Sequence, residues 1–142
     1  MLNIGEGFLA VPAGWHNASI NVFTAQPPGL KGFSITVNRD RLPPGGALEG
    51  YVAAQSAKLA DQLNGCRVIH QQPLVLDGRP AYFLEIIWKS PDAGEIHQLL
   101  LTVANGETVL NFAGSSPGKM TDVERDGVGR ILMSFRFVAG GQ

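Results

Sequence analysis

An α+β fold, a mostly antiparallel sheet of six to seven strands with two helices, follows from three observations. Period-two apolar runs succeed one another directly, and two of their junctions are Asp77-Gly78 and Asn105-Gly106, dipeptides that favour tight hairpins. One long stretch, residues 47–63, carries its apolar residues at the helical period instead. A second helix is announced by Thr121 and Glu124, which stand at the spacing of a capping box. Strands running into strands, interrupted by helices rather than alternating with them, describe α+β and not a doubly wound sheet.

The elements follow in order. Residues 7–11 read as a short strand stopped by Pro12 and Gly14. In 19–24, Ile20 and Val22 share one side while Asn21 and Phe23 share the other. Pro27-Pro28-Gly29 is a loop. In 32–39, Phe33, Ile35 and Val37 face one way and Ser34, Thr36 and Asn38 the other. Pro43-Pro44-Gly45-Gly46 breaks the chain ahead of the helix. Within 47–63, Leu48, Val52, Leu59 and Leu63 form the apolar stripe, with Tyr51 and Gln55 beside it. Asn64-Gly65 ends it, since both residues tolerate the left-handed conformation.

Four strands are then expected at 66–76, 80–89, 95–104 and 107–113, with 114–118 as a loop. The last helix runs from the capping box to about Ser134, weakened by Gly127 and Gly129 by about 1 kcal/mol each. Residues 135–138 read as a short extended end. No repeat or linker divides residues 1–142, so one domain is expected.

Composition narrows the function. With 142 residues, 44% of them hydrophobic and 16% charged, the chain can build a core. A formal charge of −1 without a basic block argues against nucleic acid as a partner. A single cysteine, Cys66, excludes an internal disulfide. The first fifteen residues lack a basic, then apolar, leader pattern, and no window approaches the roughly 20 apolar residues of a membrane span. A cytoplasmic location, with no direct membrane insertion, is the expectation.

The central strands are apolar on both sides. Tyr82, Leu84, Ile86 and Trp88 oppose Ala81, Phe83 and Ile87, interrupted only by Glu85; Leu99, Leu101 and Val103 oppose Ile96, Leu100 and Ala104. A sheet with one wet face alternates cleanly between apolar and polar, so both faces of this one need cover. Either the two helices provide it, or another chain completes one face. Gln55 and Gln98 lie among these apolar residues. A buried amide is costly unless bonded, so each either bonds a neighbouring backbone group or serves a bound segment.

Signals for catalysis are weak. His16, His70 and His97 lack metal-ligand spacing, and there is no CxxC, HExxH, GxSxG, Walker loop or GxGxxG after a strand. His97 reads as a sheet histidine with its bonds satisfied, and Arg39-Asp40 as a strand-end ion pair. No catalytic residue, metal or cofactor is expected.

The ordered set Val11-Pro12-Ala13-Gly14-Trp15, Ser19-Ile20-Asn21-Val22-Phe23, Val37-Asn38-Arg39-Asp40, Tyr51-Val52-Ala53-Ala54-Gln55, Leu76-Asp77-Gly78-Arg79-Pro80-Ala81, Trp88, His97-Gln98 and Leu132-Met133-Ser134-Phe135-Arg136-Phe137 resembles the DcrB-related family of PsbP-like fold. Asn17 departs from it, standing where the family pattern has an acidic residue. Without the leader of the exported members, the chain is similar to the effector-associated (Eag) chaperones of type VI secretion. That resemblance implies a homodimer holding the N-terminal transmembrane helices of an effector protein, of PAAR or Rhs type, before loading on the VgrG spike. It implies apolar contacts from Ile20 and Val22 and hydrogen bonds from Gln55 and Gln98. Leu99 and Leu101 are added from the apolar sheet. The alternative is a non-catalytic binding subunit of the same fold whose partner is a soluble protein.

Overall fold

A computed structural model describes residues 2–3, 6–15, 18–25 and 32–138. The Pro27-Pro28-Gly29 loop, His16 and Asn17 lie outside the described residues. In chain order the elements are β1 (Leu2–Asn3), β2 (Phe8–Leu9), β3 (Asn21–Thr24), β4 (Ser34–Arg41), α1 (Leu48–Gln62), β5 (Arg67–Leu76), β6 (Arg79–Ser90), β7 (Gly94–Asn105), β8 (Thr108–Pro117) and α2 (Asp122–Met133). β3 to β8 form one six-stranded sheet in the order β3-β4-β8-β7-β6-β5, every pair antiparallel. The expected α+β architecture is the one found. β1 and β2 pair separately as a two-stranded ribbon.

Both hairpins form, with different turn chemistry. Leu76 pairs with Arg79, and both loop residues have positive φ, 51° at Asp77 and 73° at Gly78, as a type I′ turn requires. In the second, Asn105 is still a strand residue paired with Thr108, so Gly106 takes the first loop position, where its φ of 63° is that of a II′ turn. β8 runs on to Pro117, through the stretch 114–118 expected to be a loop. Gly114, Ser115 and Ser116 pair with Leu99, Gln98 and His97, because β7 offers an unbroken row of partners. Residues 135–138 form no strand. Phe135 and Phe137 pack edge to face instead, their ring centres 4.8 Å apart.

One helix lies on each face. On one side, alternate β7 residues Leu99, Leu101 and Val103 pack in a cluster with Phe112 of β8 and with Val128 and Leu132 of α2. On the other, Ala104 and Val109 pack with Tyr51 and Leu48 of α1 and with Leu42. Tyr51, expected beside the α1 stripe, is instead the buried residue of that helix. α2 opens with the expected capping box: Thr121 Oγ1 accepts from Glu124 N, and Glu124 Oε1 accepts from Thr121 N at 2.9 Å. The two faces apolar in sequence are thus each roofed by one helix, α2 over the Leu99 side and α1 over the Leu100 side.

Candidate functional site

Register across the sheet sorts the sequence-derived residues. Val22 pairs with Thr36, Thr36 with Ala113, and Ala113 with Leu100. Directly opposed residues point to the same side, so Val22, Thr36, Ala113 and Leu100 form one row on the α1 face. Gln98 lies on that face too, two residues from Leu100 and opposite Ser115. Gln55 of α1 borders the same face, lining a cleft of about 150 Å³ with Val52, Leu59, Leu84 and Leu100. Ile20 precedes β3 and is 65% exposed; Val22, within this edge strand, is 61% exposed.

Leu99 and Leu101 are corrected. They point to the opposite face and are 1% and 0% exposed beneath α2. The strand period sends them away from Gln98 and Leu100, so they are core residues and offer no contact surface. Val22, Gln55 and Gln98 share a face, with Ser34, Thr36, Ala113 and Ser115 half-buried between β3 and α1, and exposed Ile20 lies two residues before Val22.

The polar groups on this face are organised by bonds the sequence does not announce. Gln98 Oε1 accepts from Trp88 Nε1 at 2.8 Å, and its Nε2 donates to Ser115 Oγ at 2.9 Å. A side-chain amide has two acceptor lone pairs and two N–H donors, so these bonds orient Gln98 and leave capacity for one more of each kind. Gln98 thus bonds side chains of neighbouring strands, not backbone. A polar chain pins α1: Thr102 Oγ1 donates to Asn111 Oδ1, Asn111 Nδ2 to the Tyr51 hydroxyl, and that hydroxyl to Asp40 Oδ2, at 3.0, 2.8 and 2.8 Å. Burial pushes the Tyr51 hydroxyl above its ordinary pKa, opposed by the Asn111 bond and reinforced by Asp40.

Asp40 is therefore engaged with Tyr51, and the expected Arg39–Asp40 ion pair does not form. Successive strand residues face opposite sides, and Arg39 Nη1 instead donates to Ser19 O and Asn21 Oδ1 on the α2 face.

His97 and Glu85 form a second network under α2. His97 Nδ1 accepts from Met120 N at 2.9 Å, so its proton resides on Nε2, which donates to Glu85 Oε2 at 2.7 Å. Glu85 Oε1 accepts from Arg125 Nε at 2.9 Å. Burial pushes the Glu85 carboxyl up, but the bonds from Arg125 and His97, with the charge of Arg125, outweigh it and hold the pKa below the ordinary value. Both ring nitrogens of His97 are committed to structure. Burial raises the Cys66 thiol pKa, away from the reactive thiolate. Among the described residues, no three His, Cys, Asp or Glu side chains gather as metal ligands, and no helix is long and apolar enough to cross a membrane.

The solved structures similar to this one include the following two. PA94, a protein of unknown function from Pseudomonas aeruginosa, superposes with a TM-score of 0.79, covering 96% of this chain and 94% of that one at 18% identity. The cyanobacterial PsbP (CyanoP) of Synechocystis sp. PCC 6803 matches with a TM-score of 0.49, covering 89% of this chain and 94% of that one at 16% identity. No curated protein matches. A sequence model described as DcrB matches residues 6–134, nearly the whole chain, and on that match the protein belongs to the DcrB family.

Proposed function

We propose that the protein is a binding chaperone. Its α1-side sheet face holds the apolar N-terminal transmembrane helices of a type VI secretion effector until the effector is loaded on the secretion spike, and two copies of the chain act together as a homodimer in the cytoplasm. The observation that carries this reading is the placement of exposed Ile20 and Val22 beside a half-covered face that also bears Gln55 and Gln98. An exposed apolar edge beside oriented amides suits a partner that is apolar yet still has some polar atoms to satisfy.

The physics is that of a holdase. A free apolar span of about 20 residues is insoluble. Covering it gains about 25 cal/mol per Å² of apolar area, part of which is offset by the ordering of both partners. Gln98, held by Trp88 and Ser115, presents its remaining donor and acceptor without further loss of side-chain freedom. Small residues on the client helix would let its backbone approach them closely.

The test is co-expression with an effector's N-terminal apolar segment. Native chain that retains the segment in the supernatant, and Ile20→Asp or Val22→Asp chains that fold but lose it, support the reading. Normal capture by both variants overturns the face assignment. Capture only of soluble partners moves the assignment to a general binding subunit of the family.

A further inference from the structure

The opposite face carries a second opening. Between α2 and strands β3 and β4 lies a groove of about 650 Å³, walled by Phe23, Ile35, Val37, Phe112 and Ile131 and floored by core residues of α2. Phe23 is 61% and Ile131 57% exposed at its two lips. Among the described residues its lining contains one charged side chain, Arg39, and no acidic one.

Arg39 is held in an unusual state for a half-buried cation. Its Nη1 spends its donors on two neutral oxygens, Ser19 O at 3.0 Å and Asn21 Oδ1 at 2.9 Å. Among the described residues no carboxylate pairs with it, and its Nε and Nη2 have no partner. That free edge is the fork a carboxylate occupies with two parallel bonds.

Length and lining select the occupant. From Phe33 to Arg39 the strand rises about 20 Å. A groove of that length, apolar along its walls and bearing a cation, suits one extended hydrocarbon chain that carries a carboxylate. We infer that this groove binds a long-chain fatty acid, its tail along Ile35, Val37 and Phe112 and its carboxylate on the Nε/Nη2 edge of Arg39. The groove is distinct from the α1-side face, and the inference stands whether or not the chaperone reading holds.

The test uses the full chain, stripped of lipid and titrated with the fluorescent fatty acid cis-parinaric acid. Palmitate is expected to displace the probe at one per chain. Methyl palmitate, which lacks the carboxylate, is expected to be about 10-fold weaker or worse, the scale of a charged hydrogen-bonded contact. Arg39→Gln removes the preference for acid over ester, Arg39→Lys keeps part of it, and Ile131→Glu, at an exposed position, abolishes binding of both. Arg39→Gln retains capture of an apolar client segment, which separates this site from the proposed chaperone face. Equal displacement by acid and ester, or absence of saturable binding, overturns the inference. So does an Ile131→Glu chain that is monomeric where the native chain is dimeric and lipid-free, which assigns the groove to a second copy.

Discussion

Gly114 of β8 lies directly beneath Val128 of α2: a Cβ built at Gly114 would clash with Val128 Cγ1. The absence of a side chain lets the helix settle onto the sheet at this point. Gly114→Ala is expected to destabilise the fold by about 1–3 kcal/mol through overpacking. Adding Val128→Ala should recover part of that loss despite removing buried methyl groups. Urea unfolding of the two single variants and the double variant reads the coupling, and strict additivity would show that the contact does not govern α2 docking.

Glu85 ties β6 to α2 through His97 and Arg125. Its carboxyl is charged in the fold at a lower pH than in the unfolded chain. The stability this contributes is complete above the ordinary carboxylate value of 4.5 and is lost as pH falls below it toward the depressed native value. Glu85→Gln should flatten that acid limb of the stability curve. Glu85→Leu should cost about 1–3 kcal/mol at neutral pH, mainly by leaving the buried His97 Nε2–H without an acceptor. Arg125 contributes less to that cost, because its side chain is 41% exposed and regains water. An unchanged acid limb in Glu85→Gln would assign the pH response to other groups.

The apolar residues of β7 and those at β3 should respond differently. Leu99→Ala and Leu101→Ala are expected to cost about 2–5 kcal/mol, since each empties buried volume under α2. Ile20→Asp and Val22→Asp, at exposed positions, should change stability by no more than about 0.5 kcal/mol. Thermal melts decide this without a client. Strong destabilisation by the aspartates would mean that Ile20 and Val22 are covered in solution.

Thr121→Ala removes the N-terminal cap of α2 and should cost about 1 kcal/mol. Thr121→Ser keeps the hydroxyl and should cost much less. α2 packs on the main core and lines the groove, so the same variant should weaken palmitate binding if its N-terminal turn frays. Equal stability of Thr121→Ala and the native chain would show that Glu124 alone holds that turn.

Much of the fold was legible because its signals are local. The capping box at Thr121 and Glu124, the turn at Asp77-Gly78 and the helical period of 47–63 depend on residues within one or two turns of each other. The split of Ile20 and Val22 from Asn21 and Phe23, and of Phe33, Ile35 and Val37 from Ser34 and Thr36, follows from the two-residue strand period alone. Glu85 read only as an interruption of an apolar strand face, and nothing local named His97 or Arg125, 40 residues away, as its partners.

What the sequence determined by itself was therefore the elements, their two-sided patterning and the α+β class. Tertiary structure decided which residues became surface. Gln98 and Leu99 are adjacent, yet one faces α1 and stays half-covered while the other is sealed by α2, because a helix docks on each face and its extent is set by packing rather than by strand period. It also decided that Gly114 belongs to β8 despite its low strand propensity, since pairing with Leu99 and the pressure of Val128 outweigh local preference. Arg39 and Asp40, neighbours that read as a pair, were separated for the same reason that the faces were predictable: alternate strand residues meet different partners.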